Sequence, residues 1–359
     1  EMVYDYRDMV GVSIASDLVD IRGENRVLSF YGLKKLNENP SIGLQTLLED
    51  CPKKDQYNIS DIIFGIGPRI NAAGRISDAT AAVKVLIEKD YNTAKKYAKV
   101  LSERNHERKE LDTDITKEAV NIVENTPGLL DRKSIVLRGE DWHKGVVGIV
   151  ASRIIETYYK PTIVLCGQGD IITCSARSVK GFDLYNVLEN LKHYFVRFGG
   201  HKYAAGLSLK KENLALFKED FENEVGKHIK EQDLIPEINI DSELSLNQLF
   251  ARTNNQSTPK IYRILKQMEP FGIGNPKPVF LFKGLNIESP ARIVGEKHLK
   301  FIFSDSSKEN TIDGIWFSSL SFLKILKDQE TMDVVGTIDE NYFRGKRTMQ
   351  IIIKDIRVN

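Results

Sequence analysis

The spacing of hydrophobic and polar positions divides the chain into regions of different character. Residues 1–80 contain short apolar runs and a glycine-punctuated segment at 64–78. Residues 81–125 are highly charged and carry apolar residues at helical spacing near both ends, but none from Ser102 to Glu110. Because a helix that is polar all round is typical of a bridge between domains, we predict a long connecting helix that ends near Pro127-Gly128.

The region 126–232 shows alternation between strand-like and helix-like patterns. Alternating strands and helices of this kind indicate βαβ packing, so we predict an α/β domain. The predicted strands are Ser134–Arg138 and Thr162–Cys166, and the predicted helices are Val146–Tyr159, Asp183–Phe195 and Glu212–Lys230.

From about residue 236 the pattern changes to short runs in which apolar and polar residues alternate. Repeated short strands separated by turn residues predict a small closed sheet or barrel. We expect most of its phenylalanines to form the barrel core. The predicted strands are Glu237–Asp241, Val279–Phe282, Leu299–Phe303, Gly314–Phe317, Asp333–Thr337 and Gln350–Ile353.

Composition excludes several protein classes. The 359 residues are 41% hydrophobic and 28% charged, which is typical of a soluble globular protein with more than one domain. The net charge of +1 means that any nucleic-acid-binding surface must be local. The three cysteines form no CxxC pair, which argues against a disulfide framework or a zinc site. The longest apolar run, Val146 to Ile155, is interrupted by Arg153, so we expect no membrane span.

Two glycine-containing motifs are candidates for contacts with phosphate. In the segment Phe64–Asp78, small residues would let the backbone approach a ligand while Arg69, Asn71 and Arg75 project donors from a crowded loop. The alternative is a tight interdomain turn with solvated arginines. In the segment Asp141–Arg153, a strand leads through a loop into a helix, whose start would suit an anion.

His143 and Lys144 would lie at the start of that helix. The alternative is that Gly145 and Gly148 only permit close packing of the helix on the sheet, and that His143 is a capping or surface residue.

Two further motifs follow along the chain. Ser175-Ala-Arg177-Ser178 stands at a predicted strand end. In the later motif, the pair Gly199-Gly200 could present backbone amides as a phosphate nest, with His201 adding a hydrogen bond. The alternatives are an ordinary glycine turn and a structural histidine.

A single carboxylate and a basic hairpin complete the candidate residues. Asp17 follows an apolar, strand-like run, and a carboxylate at a strand end suits Mg²⁺ or Mn²⁺. A solvated turn acid is the alternative. Near the C-terminus, an aromatic and basic hairpin tip could stack on bases and follow the nucleic-acid backbone. Its predicted exposed residues are Tyr342, Arg344, Lys346 and Arg347.

The order of these motifs resembles the RecJ exonuclease family, within the DHH phosphoesterase superfamily. The motifs that carry the resemblance are Gly67–Arg75, Trp142–Arg153, Ser175–Ser178 and Phe198–Gly206. The resemblance implies a multidomain α/β protein in four parts. These are the remainder of a DHH domain (1–80), a connecting helix (81–125), an α/β DHH-associated domain (126–232) and an OB-fold nucleic-acid-binding domain (233–359).

The resemblance also implies a function. RecJ-like proteins degrade single-stranded DNA from the 5′ end in recombination and repair, by two-metal hydrolysis with Mn²⁺ or Mg²⁺. It further implies a cytoplasmic monomer, with a single-strand-binding protein and a helicase as partners and no membrane association. Asp17 would be a metal ligand, and Arg177 and His201 would be catalytic. The nucleic-acid contacts would come from Arg69, Asn71, Arg75, His143, Lys144, Ser175, Arg177, Ser178, Gly199, Gly200, His201, Tyr342, Arg344, Lys346 and Arg347.

One departure from the family pattern limits this prediction. The chain contains no Asp-His-His triplet. We therefore expect most of the metal centre to lie upstream of Glu1, and this chain alone to be a poor or inactive nuclease. The alternatives are a non-catalytic single-strand-binding module and a smaller DHH-family phosphodiesterase for short oligonucleotides or cyclic dinucleotides. The strand-rich C-terminal region argues against the second, because a small substrate needs no second binding platform.

Overall fold

The chain folds into two compact units, each of which is described by itself. The computed structural model describes residues 2–252, 258–324, 326, 331–343 and 346–358. The barrel unit comprises Glu1–Asn37, Gln56–Ser60 and Ile238–Asn359, and the sheet unit comprises Glu38–Asp55 and Asp61–Glu237. Residues 1–80 are thus divided between both units, and the four predicted domain boundaries stay a prediction.

Twelve α-helices are assigned within the described ranges. They are α1 (Arg7–Ser16), α2 (Gly23–Glu38), α3 (Ile42–Leu48), α4 (Ile59–Asp61), α5 (Gly67–Ile76), α6 (Thr80–Ile87), α7 (Tyr91–Asn125), α8 (Val147–Tyr158), α9 (Leu184–Asn190), α10 (Leu214–His228), α11 (Leu246–Phe250) and α12 (Lys260–Met268). A π-helical turn, Ile62–Ile66, precedes α5, and short 3-10 turns occupy Met2–Tyr6, Lys192–Tyr194, Lys211–Asn213, Glu231–Leu234 and Leu320–Lys324. Across these described helices, none combines the length and the apolar character that crossing a bilayer requires.

The long helix is shorter than the sequence predicted. It begins at Tyr91 rather than at residue 81, because the Asp90 carboxylate accepts a hydrogen bond from the Thr93 N–H at 2.8 Å and caps the helix start. The residues before this cap form the separate helix α6. Its predicted end is close to the observed one, since α7 stops at Asn125, just before Pro127.

The strands form one sheet in each unit. They are β1 (Ile135–Gly139), β2 (Thr162–Cys166), β3 (Ile171–Arg177), β4 (Phe195–His201), β5 (Ala204–Lys210), β6 (Ser242–Glu243), β7 (Phe280–Ile287), β8 (Arg292–Val294), β9 (His298–Ser304), β10 (Thr311–Trp316), β11 (Thr331–Phe343) and β12 (Lys346–Val358).

The sheet of the sheet unit confirms the predicted βαβ packing. Its strand order is β1-β2-β3-β5-β4, with β1 and β2 parallel and joined by α8. The other strand pairs are antiparallel. Side chains alternate between two cores, one shared with α9 and α10 around Phe217 and Phe221, the other shared with α7 and α8. The predicted helix Asp183–Phe195 ends earlier, at Asn190, because Phe195 already belongs to β4.

A buried ion pair joins α7 to α8. Asp112 of α7 is only 1% exposed and accepts hydrogen bonds from Arg153 of α8 at 2.8 and 2.7 Å. Arg108 lies one turn earlier on α7, with 3.8 Å between its Nη1 and the Asp112 carboxylate. The neighbouring Trp142 donates its ring N–H to Glu118 at 2.8 Å, so the loop before α8 is also tied to α7.

Two sequence predictions about local structure were wrong. The apolar run before Asp17 is the helix α1 rather than a strand. A short apolar run does not distinguish the two, and here the helix is favoured because Gly11 packs directly on Gly32 of α2. The segment 64–78, predicted as a crowded loop, is a π-helical turn followed by α5. Pro68 lies in the first turn of α5, where its missing N–H costs no hydrogen bond.

The barrel unit has an OB-like arrangement of strands. Strands β7, β11, β12, β10 and β9 pair in that cyclic order, and the ring is joined by only two residue pairs between β7 and β9. Aromatic side chains fill its core as predicted, whereas Phe317 is about half exposed. The core aromatics are Phe280, Phe282, Phe301, Phe303 and Trp316.

Two features of the barrel unit differ from the sequence prediction. The predicted strand Glu237–Asp241 is wrong, because only Ser242–Glu243 pairs with β7. The helices α11 and α12 were not predicted.

We expect the change Asp112→Asn to destabilise the sheet unit by about 2–3 kcal/mol, because it leaves the charges of Arg153 and Arg108 without their carboxylate. The estimate is at the low end for a broken buried pair, since Arg153 is 48% exposed. Urea unfolding followed by circular dichroism measures the loss. The control is Asp114→Asn on the same helix, where the carboxylate is 77% exposed and should contribute less than about 0.5 kcal/mol. Equal midpoints for both variants would contradict the assignment.

Candidate nucleic-acid interface

The centre of the candidate site is the guanidinium of Arg177, at the end of β3. Its Nη1 donates to the Ser175 hydroxyl and to the Ala176 carbonyl, both at 2.8 Å. No carboxylate pairs with it within the part of the chain that the structure describes. Burial, and then the nearby charge of Arg75, lower the pKa of Arg177. An arginine stays protonated in proteins, and burying a charge without a partner is unfavourable. The position of Arg177 therefore favours a bound anion.

The start of α8 lies directly against Arg177. A Cβ atom at Gly148 would stand 2.9 Å from Arg177 Nη2 and 3.0 Å from Ser175 Oγ, so any larger residue would displace the guanidinium from this position. Gly148 is in the first turn of the helix, and its N–H has no hydrogen-bond partner among the described residues. A free helical N–H, a hydroxyl and a guanidinium therefore meet at one place, which is the donor set that a phosphate group requires.

Two more arginines add positive charge around this point. Arg75 of α5 donates to the Gly145 carbonyl at 3.2 Å, and a Cβ at Gly145 would come within 2.1 Å of the Arg75 carbonyl oxygen. Arg108 of α7 is half-buried, and its burial lowers its pKa, as do the charges of Arg75 and Arg153, while Asp112 opposes this. The sequence motifs predicted Arg75, but they gave no signal for Arg108, which lies in the polar part of α7.

The sheet continues from Arg177 as an open face with little side-chain volume. Arg177 and His201 both stand opposite Ala204, and Ser175 and Gly199 both stand opposite Gly206. Residues opposite one another in an antiparallel sheet point to the same face, so these six residues share one surface, which we call the glycine trough. Arg177 and His201 are two strand spacings apart, or roughly 10 Å.

The contact of Gly199-Gly200 with phosphate stays a prediction, and the pair is extended rather than folded into a nest. Both glycines lie in strand β4 and pair with Gly206 and Ala205, rather than forming a turn. A Cβ at Gly200 would meet the Ala204 carbonyl at 2.4 Å, so this glycine is required by the tight β4–β5 hairpin. His201 is exposed and its Nδ1 accepts the Tyr203 N–H at 3.3 Å.

The strand assignment reveals a residue that the motifs missed. Arg197 stands opposite Ser208, in the same alternating series as Gly199 and His201, and is exposed on the trough side of β4. Period-two spacing from Gly199 would have found it, had this segment been interpreted as a strand.

Several predicted contact residues are engaged in local structure. The Arg69 guanidinium donates to the carbonyls of Leu47 at 2.6 Å and Asp50 at 2.9 Å, at the end of α3. Ser178 donates to the carbonyl of Phe182 at 2.9 Å. Nucleic-acid contacts by these two side chains stay a prediction, and they would require these hydrogen bonds to be exchanged.

Three further predicted residues lie at the surface of the sheet unit. The His143 carbonyl accepts the N–H groups of Val146 and Val147, whereas the N-cap position of α8 is Val146 and the helix start has no side-chain cap. Lys144 is exposed beside it, and Asn71 is exposed on α5. Their nucleic-acid contacts also stay predictions.

The predicted hairpin tip of the barrel unit is formed by β11 and β12. Tyr342 pairs with Arg347 across the two strands and is 53% exposed. The Arg347 guanidinium lies over the Tyr342 ring, with 6.0 Å between Cζ and the ring centroid. An exposed ring beside a cation is suited to stack on an unpaired base. Arg344 lies outside the described residues, as does the side chain of Lys346.

The described residues do not make a metal site by themselves. Among them, no group of three or more His, Cys, Asp or Glu side chains is placed to hold an ion. Asp17 stands at the end of α1, where its N–H bonds to the Ser13 carbonyl at 3.1 Å. Its neighbour Asp20 is paired with Arg22, which leaves Asp17 as a single candidate ligand.

The segment around Asp17 is held by a loop of the barrel unit. We call residues 17–26 the acidic segment and residues 268–276 the glycine loop. The Ile21 N–H donates to the Ile273 carbonyl at 2.6 Å, and Arg26 donates to the Met268 carbonyl at 2.9 Å. Asn275 also donates to the Met268 carbonyl, at 2.9 Å, so both side chains close the end of α12.

Gly274 makes the closest approach between these two segments. Its φ is +78°, and a Cβ there would lie 2.0 Å from the Asp20 Oδ1. The glycine loop, which the sequence did not connect with Asp17, is therefore part of what positions the acidic segment.

Comparisons with known proteins are consistent with this architecture. A family model described as the DHHA1 domain matches residues 131–227, and one described as the RecJ OB domain matches residues 240–355. The single-stranded-DNA-specific exonuclease RecJ of Escherichia coli K12 is 32% identical over 362 residues, covering 97% of this chain and 60% of the relative. That of Bacillus subtilis is 29% identical, covering 100% of this chain and 45% of the relative.

A solved structure gives the same result for the fold. The crystal structure of Thermus thermophilus RecJ in complex with Mg²⁺ superposes with a TM-score of 0.82 at 28% identity, covering 99% of this chain and 52% of that chain. The chain thus spans about half to three-fifths of the length of the relatives that it matches.

We expect Gly274→Ala to loosen the acidic segment, because the added methyl group must displace the Asp20–Arg22 pair. Hydrogen exchange measured by mass spectrometry should show faster exchange in peptides that cover residues 17–26. The control is Gly284→Ala, which has a similar φ of +59° but no atom within 4 Å of its Cβ. It carries the same backbone strain without the contact. Unchanged exchange in Gly274→Ala, or the same change in both variants, would rule out this positioning role.

Proposed function

We propose, from the similarity of this chain to the RecJ family, that it acts in the hydrolysis of single-stranded DNA from the 5′ end, in recombination and repair. The glycine trough would hold the sugar-phosphate backbone while the phosphodiester bond is cleaved. The proposal is supported by the names of the relatives, which are single-stranded-DNA-specific exonucleases, and by the match to both family models.

The observation that carries this proposal is the half-buried Arg177 guanidinium without an acidic partner. A phosphate placed between Arg177, the Ser175 hydroxyl and the Gly148 N–H would supply the missing negative charge. Such preorganised donors stabilise the charge that develops on a reacting phosphate, because they need not reorient. Contacts of this type fix the position of the backbone and carry no base information.

Selectivity for single strands would arise from the need for unpaired bases. Across the trough, His201 and Arg197 would contact neighbouring phosphates from β4. In the barrel unit, Tyr342 would stack on a base, which in a duplex is covered by its neighbours. Contacts with phosphate groups and stacking on a base do not depend on which base is present, so DNA of any sequence could bind.

A divalent cation is part of the proposal. The related Thermus thermophilus proteins were solved with Mg²⁺ and with Mn²⁺, and we propose that one of these ions serves the reaction here, with Asp17 as a ligand. A single carboxylate does not make a metal site, so we assign to the described residues only the holding of the DNA backbone. From the resemblance alone, we further propose a cytoplasmic monomer that works with a single-strand-binding protein and a helicase.

A second candidate function is a non-catalytic single-strand-binding module. It is favoured by the lack of a clustered metal site among the described residues. Incubating the chain with Mn²⁺ and a 5′-labelled single strand separates the two candidates, because release of the label on a mononucleotide excludes a module that only binds. A phosphodiesterase for short oligonucleotides is less favoured, since a small substrate needs no second binding platform such as the RecJ OB domain. Comparing long strands with dinucleotides as ligands tests this.

We expect Arg177→Met to weaken single-strand binding by roughly tenfold to a hundredfold, the effect of losing charge-assisted hydrogen bonds. Fluorescence anisotropy with a labelled strand at several salt concentrations measures this. The slope of log affinity against log salt should become shallower by about 0.7, because one fewer phosphate is neutralised.

The matched control for this experiment is Arg104→Met. This arginine lies on α7 and is paired with Glu107, so its removal should leave affinity and slope unchanged. The proposal fails if Arg177→Met behaves like this control.

A further inference from the structure

A separate cavity lies at the opposite edge of the sheet from β4. It has a volume of about 260 Å³ and lies beside β1, between the end of α7 and the start of α10. Its cationic side chains are Arg132, Arg138 and Lys218, and its one acidic side chain is Glu219. None of these residues belongs to a sequence motif that is a candidate for nucleic-acid contact, and none contributes to the glycine trough.

The positive charges of this cavity are incompletely balanced. Arg132 pairs with Glu219 at 2.8 Å, and Arg138 pairs with Glu140 at 2.8 Å. Lys218 has no hydrogen-bond or ion-pair partner within the described ranges. It is partly buried, and burial together with the charges of Arg132 and Arg138 lowers its pKa. The Arg138 Nε atom is buried and also has no hydrogen-bond partner in the described chain.

The other walls of the cavity are apolar or consist of backbone. Apolar side chains of α7, the following loop and β1 form the apolar part of the lining, namely Ile122, Pro127, Leu129, Val136 and Leu137. β1 is an edge strand, and the Ile135 N–H is directed towards β2, where it donates to the Pro161 carbonyl at 2.9 Å. Because backbone groups alternate along a strand, those of Val136 and Arg138 are directed away from β2, towards the cavity side.

The end of α7 offers a simpler role for these cations. A helix carboxyl end carries partial negative charge, and Lys218 could balance it. However, the Ile122 carbonyl at this end already accepts both the N–H and the hydroxyl of Thr126, at 3.0 and 2.6 Å. A lysine that only balances the charge of a helix end can do so at the surface, without a cavity. This role also does not explain the apolar wall.

We propose that this cavity binds a small phosphomonoester with an apolar part, of the size of a mononucleotide or less. Lys218 and Arg138 hold the phosphate, and the apolar wall contacts the base. The volume is just below the ~300 Å³ at which small-molecule pockets usually begin, which limits the occupant to a small molecule. This inference is independent of the role proposed for Arg177, because the two sites share no residue.

Isothermal titration calorimetry of the whole chain tests the proposal with three probes. They are 2′-deoxyadenosine 5′-monophosphate, inorganic phosphate and 2′-deoxyadenosine. We expect the monophosphate to bind more tightly than phosphate, and deoxyadenosine to show no binding. Deoxyadenosine binding as tightly as the monophosphate would overturn the anion site, and equal affinities for phosphate and monophosphate would overturn the role of the apolar wall.

The decisive variant is Lys218→Met, which keeps the aliphatic stem and removes the charge. It should weaken monophosphate binding at least about tenfold. The matched control is Lys227→Met on the same helix, since Lys227 is 67% exposed, pairs with Glu224 and does not line the cavity. Repeating the Lys218→Met titration in the Arg177→Met background removes any phosphate bound at the trough, and Lys218→Met should weaken the remaining monophosphate binding there as well. Loss of binding in Arg177→Met with retention in Lys218→Met would overturn the proposal and place the phosphate in the trough.

Thermal unfolding of the same variants separates binding from a structural role. If Lys218 only balances the end of α7, then Lys218→Met lowers the melting temperature and leaves monophosphate affinity unchanged, which would overturn the proposal. We expect the reverse, with a melting temperature close to that of Lys227→Met and reduced affinity.

Discussion

The buried carboxylate of Asp112 fixes the geometry on which the candidate site depends. It joins α7 to α8 through Arg153, and α8 brings Gly148 against Arg177. An ion pair in the interior contributes little net stability against an apolar pair of the same volume, but it is specific in direction and spacing. A shift of α8 by one residue would place a side chain where Gly148 now allows contact. The Asp112–Arg153 pair is therefore more important for the position of α8 along α7 than for the free energy of unfolding.

Segments that are distant in the chain meet at this point, and three glycines allow them to come close. Gly145 allows contact with the backbone at Arg75, Gly148 allows contact with Arg177, and Gly206 keeps the floor of the trough open. Apolar side chains supply the stability of the two cores on either side of the sheet. The packing of these apolar side chains, to which the arginines do not contribute, then holds Arg75 and Arg177 at the site.

Much of the sheet unit could be predicted from the sequence, because its strands and helices differ clearly in hydrophobic period. The predicted strand Thr162–Cys166 has the observed bounds, and the prediction for α8 differs by one residue at each end. The run before Asp17 was mistaken for a strand because its length and apolar content fit both structures. The glycine-rich segment at 64–78 was mistaken for a loop because glycine is frequent in loops, whereas here Gly65 allows close packing against Cys51.

The candidate site was only partly predictable, for a related reason. Arg177 and Ser175 stand in one short motif, and Arg75 stands in another, so all three residues were found. Arg197, Arg108 and Lys218 lie in stretches with no distinguishing local pattern, and only the sheet register or the packing of helices brings them to a site. The link between the glycine loop and Asp17 depends on residues about 250 positions apart, and no local pattern carries such information.

The floor of the trough has a consequence for how a bound polymer would move. At Gly199 and Gly206 the surface consists of backbone alone, with no side-chain rotamers that must reorganise as a ligand passes. A repeating chain advancing by one unit would meet the same smooth surface at every step, whatever its substituents. Resistance to sliding would then come mainly from contacts with the charged residues at the rim, which salt screens. The rate of sliding would therefore depend more on ionic strength than on the chemical identity of the repeating units.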